Sequence, residues 1–125
     1  MNLFLTIALR NYLCFFLTFN QFPNYTKNWH SNEKNGSIIA SFEEFNGKQD
    51  FKLHRNTKGV FMLKYAVTAE KGKLQIEVKQ GSKTIVQREI NGSIADSIKL
   101  DNTGGEKYQV IFRAVHAKGK FELKY

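Results

Sequence analysis

One segment of this chain occurs twice. Residues 61–78 align without a gap on residues 108–125, forty-seven positions later. Phe61, Leu63, Tyr65 and Val67 align with Tyr108, Val110, Phe112 and Ala114. After a shared Lys-Gly-Lys triplet, Leu74, Ile76 and Val78 align with Phe121, Leu123 and Tyr125. Side chains alternate sides along a strand, so an apolar set of period two on both sides of the triplet predicts two strand arms with one buried face. The triplets Lys71-Gly72-Lys73 and Lys118-Gly119-Lys120 read as hairpin turns, in which glycine supplies the positive φ that a short loop needs. Only these triplets are identical, so convergence of two ordinary hairpins outweighs duplication as their origin.

The rest of the chain after residue 36 continues the same grammar. Residues 37–45 form a first strand with Ile38, Ala40 and Phe42 on one face, and Asn46-Gly47 is the dipeptide of a tight turn. Residues 48–54 are a second strand burying Phe51 and Leu53, and 55–59 are a basic connection into the first repeat. Gln80-Gly81-Ser82-Lys83 and Asn91-Gly92 bound strands at 84–90 and 93–100, and the loop at 101–106 leads into the second repeat. About eight short strands separated by turn signals predict an all-β, antiparallel sandwich over residues 37–125.

The amino-terminal part differs in character. Residues 1–19 are apolar apart from Arg10 and a few small polar residues, and 20–36 are polar and rich in Asn. The first segment is expected to be a signal or anchor and the second a tether. Four readings of the leader stand side by side: an export signal without a small-x-small cleavage site, a lipid anchor at Cys14, a spanning helix burdened by Arg10, or a misassigned start. Leu13 occupies the place where a lipobox needs a small residue. Cys14 is the single cysteine, which excludes an internal disulfide.

The formal net charge is +8. Lys64, Lys73, Lys79, Lys99, Lys120 and Lys124 alternate along the expected strands, where they occupy solvated faces and guard edges. Dispersed lysine, with few arginines and no helix to enter a groove, argues against specific nucleic-acid recognition. It favours anionic polymers or headgroups as partners.

Three stretches, ASFEEFNGKQDFKL, GKLQIEVKQGSKTIVQREI and EKYQVIFRAVHAKGKFELKY, together resemble the small secreted or lipoprotein β-sandwich domains of low-GC Gram-positive bacteria. The resemblance covers residues 37–125 and implies a jelly-roll-like sandwich, similar to galactose-binding-like and prepeptidase carboxy-terminal domains, attached at the cell surface. Such sandwiches often hold a structural calcium.

Few residues suggest chemistry. His30, His54 and His116 share no metal-ligand spacing. Glu43 and Glu44 are adjacent and point to opposite faces of a strand, which rules out a glycosidase pair. No Gly-x-Ser-x-Gly elbow or phosphate loop occurs, so no catalytic residue and no cofactor are expected. Asp101, Asn102 and Glu106 offer oxygen ligands in a glycine-containing loop, but they are too few for a strong calcium site, and a plain turn is favoured. Stacking on a sugar ring needs an exposed aromatic, for which Tyr25 and Trp29 in the tether are the candidates.

These observations predict an exported, monomeric and non-catalytic module of the cell envelope or extracellular space. Its expected partner is a cell-wall polysaccharide or surface protein, and only residues 1–19 touch a membrane. The alternative is a structural or protein-interaction domain that uses its sheet edges and basic face.

Overall fold

The computed structural model describes residues 24–125, so the leader and Cys14 lie outside the described residues. Six strands and no helix occur among these residues: β1 Tyr25–Lys27, β2 His30–Lys34, β3 Ser37–Lys52, β4 Val60–Gln80, β5 Lys83–Asp101 and β6 Tyr108–Lys124. All pairs are antiparallel, in the order β1-β3-β6-β4-β5, with β2 also paired to β3. The all-β antiparallel class expected from the sequence is what the chain adopts.

Four of these strands are too long for a flat sheet of this size, and they double back. Phe112 and Phe121 lie on β6 and stack at 3.8 Å between ring centroids, with 14° between their planes. Nine residues of straight strand would separate their backbones by about 30 Å. Strand β6 therefore folds over on itself, and its paired neighbours fold with it. The result is one continuous sheet bent into two layers that face each other across a single core. The first layer holds residues 37–45, 60–69, 92–101 and 117–124, and the second holds 47–52, 73–80, 83–90 and 108–115.

The bend keeps one face inward. In β4 the buried positions are Phe61, Leu63, Tyr65 and Val67 before the bend, then Leu74, Ile76 and Val78 after it. This odd-to-even switch falls in the irregular stretch between Ala69 and Leu74. Strand β3 switches likewise from Ile38, Ala40 and Phe42 to Phe45 and Phe51. Every apolar repeat position named from the sequence is buried except Tyr125, which is half-buried.

The triplet turns are a correction. Lys71-Gly72-Lys73 and Lys118-Gly119-Lys120 do not reverse the chain; they are corners within β4 and β6, where Lys71 opposes Lys118. A Cβ on Gly72 would meet the carbonyl oxygen of His116 at 2.1 Å, and one on Gly119 would meet that of Thr68 at 1.9 Å. Each glycine admits the other strand's backbone, so the repeat marks a local twofold about the corner. Asn46-Gly47 and Asn91-Gly92 likewise lie inside β3 and β5. The eight expected short strands are thus the arms of four bent ones. Gln80 and Lys83, in contrast, do pair across a true two-residue turn.

Residues 25–34, within the expected tether, carry β1 and β2 on the edge of β3. The Trp29 ring between them stacks on Phe42 at 5.5 Å and meets Phe45 edge-on at 5.6 Å. It closes the core beside the corners.

Candidate functional site

Because all four long strands bend at the same level, the corners gather at one end of the molecule and the connections at the other. At this open end lie residues 53–59 between β3 and β4, the turn at 81–82, and residues 102–107 between β5 and β6. They enclose a cleft of about 560 Å³. Its walls are tied together by backbone and amide hydrogen bonds. Leu53 N donates to Tyr108 O at 3.0 Å, and Gly81 N donates to Lys107 O at 3.1 Å. Asn102 N donates to Gly59 O at 3.1 Å, while Asn102 Oδ1 accepts from Gly59 N at 2.8 Å. The buried Tyr108 hydroxyl donates to Asp101 O at 2.6 Å and accepts from Asp101 N at 3.2 Å. Cross-ties of this kind hold loops in place before a ligand arrives, which lowers the ordering cost of binding.

The lining is strongly cationic. Lys52, Arg55, Lys58 and Lys107 face one carboxylate, Glu106. Glu106 Oε2 is itself engaged by Gly104 N at 2.9 Å. The Arg55 guanidinium carbon sits 4.3 Å from the centroid of the Phe61 ring, within cation–π range. Arg55 Nε is buried and has no hydrogen-bond partner among the described residues.

The residues singled out from the sequence fall in different places. Asp101 Oδ1 accepts from the Thr103 hydroxyl at 2.5 Å and Thr103 N at 2.9 Å. These bonds, with Lys99 nearby, hold the Asp101 carboxyl below its usual range against a small desolvation effect. Asn102 is a strut between loops, and Glu106 turns back on its own loop. Asp101 and Glu106 thus serve their own loop and Asn102 ties it to the neighbouring one, and no group of three or more metal-ligating side chains occurs among the described residues. Tyr25 is 47% exposed and pairs with Asn46, at the corner end and far from the cleft. Trp29 has one ring face against Phe42. His116, exposed at the corner, shares a hydrogen bond between its Nδ1 and Glu44 Oε1 at 2.8 Å. Cys14 lies outside the described residues.

A second polar cluster lies on the outer face of the second layer. Arg113 donates to Glu77 Oε1 at 2.6 Å, and the Thr84 hydroxyl donates to Glu77 Oε2 at 2.5 Å. The Glu77 side chain is only 8% exposed. Burial pushes its carboxyl pKa up, but the Thr84 and Arg113 hydrogen bonds and the Arg113 charge outweigh that and hold it below the usual value. A carboxylate hydrogen-bonded on both oxygens and paired with an arginine is a strut across β5, β4 and β6, not a proton donor.

Sequence reasoning found the basic connection at 55–59 but not Arg55 as a residue apart. The available signal was an arginine close before the aromatic that opens a buried strand, Phe61.

No protein-family model and no curated protein sequence matches the chain. Solved structures do. The chain is similar to TmCBM61, solved in complex with β-1,4-galactotriose, at 16% identity and a TM-score of 0.46, covering 82% of this chain and 95% of that one. It is also similar to a family 29 carbohydrate-binding module, at 16% identity and a TM-score of 0.43 over 84% and 75% of the two chains. A third is the C-terminal CBM6 of LamC, a marine laminarinase from Zobellia galactanivorans, at 8% identity and a TM-score of 0.43 over 81% and 91%. At these values the likeness is to a β-sandwich outline, and it assigns neither a residue nor a ligand.

Proposed function

We propose that this chain is a non-catalytic binding module that holds a surface glycan in the open-end cleft, and that it works outside the cell, held at the envelope through residues 1–19. The observation that carries the reading is the cleft itself. Three loops from different parts of the chain are locked together by hydrogen bonds, around a concave site large enough for a sugar unit or two. Its lining of lysine, arginine, histidine and amide side chains suits hydroxyl-rich ligands better than apolar ones. Chemistry on a glycosidic bond calls for two carboxyl groups flanking the bond, and among the described residues a single carboxylate, Glu106, lines this cleft. Binding without turnover fits that lining.

The test is affinity electrophoresis of the full chain through gels that contain soluble polysaccharides. Retardation by at least one polymer, reduced by Asn102→Ala, Lys58→Ala or Lys107→Ala but not by Tyr25→Ala, supports the cleft. Retardation that Tyr25→Ala abolishes moves the site to the corner end, and release of reducing sugar by the purified protein overturns the non-catalytic reading.

A further inference from the structure

We infer that the cleft is built for an acidic sugar chain, and that Arg55 takes its anionic group, a carboxylate or a phosphate. This inference rests on the glycan reading above. Three arginines lie among the described residues. Arg88 pairs with Asp96 at 2.9 Å, and Arg113 pairs with Glu77 at 2.6 Å. Arg55 has no carboxylate partner among the described residues, its buried Nε has no hydrogen-bond partner there, and its guanidinium lies over the ring of Phe61.

Stacking and pairing do different things to a guanidinium. A salt bridge uses the donors of the planar fork, whereas contact with a ring restrains the group and leaves its terminal Nη donors unspent. Phe61 is itself buried and held edge-on by Tyr108 at 5.9 Å, so the platform under Arg55 is rigid. A guanidinium seated over a ring in the cleft wall, with no carboxylate paired to it, can meet two anionic oxygens in one plane. Preorganisation of this sort removes much of the ordering cost that a free arginine side chain would carry.

The surroundings point the same way. Lys52, Lys58 and Lys107 add three positive charges around the cleft, and Glu106 is turned to a backbone amide. Such a field concentrates anionic ligands and disfavours cationic ones. Uronate carboxylates and sugar-linked phosphates both present the required oxygens, so a polymer of each kind serves as a probe.

The experiment measures binding of the full chain to polygalacturonate, to neutral galactan of matched length and to poly(glycerol phosphate), by calorimetry at low and physiological salt. Wild type is compared with Arg55→Gln and Arg55→Lys, with melting curves recorded for each. The inference expects an acidic polymer to bind in physiological salt, at least about tenfold more tightly than the neutral one. It expects Arg55→Gln to remove that preference and Arg55→Lys, which keeps the charge but not the fork, to restore it only in part. Whether polygalacturonate or poly(glycerol phosphate) binds more tightly then identifies the acidic group. Should Arg55→Gln fail to fold, Arg55→Lys carries the same comparison. Equal binding of neutral and acidic polymers, or an undiminished acidic preference in Arg55→Lys, overturns the inference and leaves the glycan reading standing. Acidic binding that vanishes at physiological salt also overturns it, because dispersed lysines alone would do that. Binding to none of the three overturns the inference, and the glycan reading falls with it only if no polysaccharide retards the chain in the gels.

Discussion

Replacing Gly119 by alanine tests the doubled sheet, because the outcome depends on what the glycine is for. In an exposed hairpin turn a methyl at this position would meet solvent. Gly119 is not among the residues of positive φ, so the backbone itself would tolerate alanine there. At a corner the methyl carbon would sit 1.9 Å from Thr68 O and 3.3 Å from Ala69 Cα, on the strand that Gly119 pairs with. Backbone cannot rotate away as a flexible side chain can, so β6 must lift from β4 at the corner. Overpacking of that kind costs about 1 to 3 kcal/mol, and each ladder bond given up costs about 1 more. The expected loss is about 3 to 4 kcal/mol, a large part of the total for a domain of this size. Gly92→Ala is the internal control. Its φ is +77° with open space around it, so it carries backbone strain alone, about 1 to 2 kcal/mol. Urea denaturation followed by tryptophan fluorescence should place the Gly119→Ala midpoint about 1 to 3 M below wild type, and clearly below Gly92→Ala. Equal midpoints for the two variants would refute the close approach of β4 and β6 at the corner.

Three further outcomes follow from the same geometry. Glu77→Ala should cost about 3 kcal/mol by leaving Arg113 half-buried without its carboxylate, while Asp96→Ala, at an exposed pair, should cost under about 0.5. Because the folded state holds the Glu77 pKa below its unfolded value, its stabilisation is complete above the unfolded value. It is lost as pH falls through the folded one, so Glu77→Gln should flatten the acid limb of a stability-against-pH curve. Trp29→Ala should cost about 2 to 3 kcal/mol through its contacts with Phe42, Phe45 and Phe121, so a truncation that removes residues 1–32 should melt below the full chain. Excess calcium should leave the melting temperature unchanged, since Asp101 and Glu106 are spent on their own loop; a rise of several degrees, abolished by Asp101→Ala, would show a site there.

What the sequence disclosed and what it hid divide along the range of the interactions. Facing was legible because period two is local: Phe61 to Val67 and Val110 to Ala114 announce their inner side chains without reference to any partner. The corners were not legible, since a glycine between two apolar arms serves a turn and a bend equally well. Only the register of β4 on β6, set by residues forty-seven positions apart, decides between them. Residues 25–34 hid their strands for another reason. β1 and β2 lie on the edge of the sheet with every residue exposed, so their composition carries no alternation. Trp29 was visible as an aromatic, but its place over Phe42 needed the fold. The cleft is assembled from three connections distant in sequence, and the feature that sets Arg55 apart, a ring beneath it and no acid beside it, exists only once Phe61 is in place.

The central claim is that ligand binds at the open end of the doubled sheet. Backbone amide spectra of the isotope-labelled full chain, recorded while polygalacturonate fragments are added, test it residue by residue. The account predicts shifts concentrated at residues 52–58 and 102–109, with the corners at 45–47 and 116–119 silent. Shifts centred on Tyr25 and Trp29, or on the outer face around Glu77 and Arg113, would contradict it.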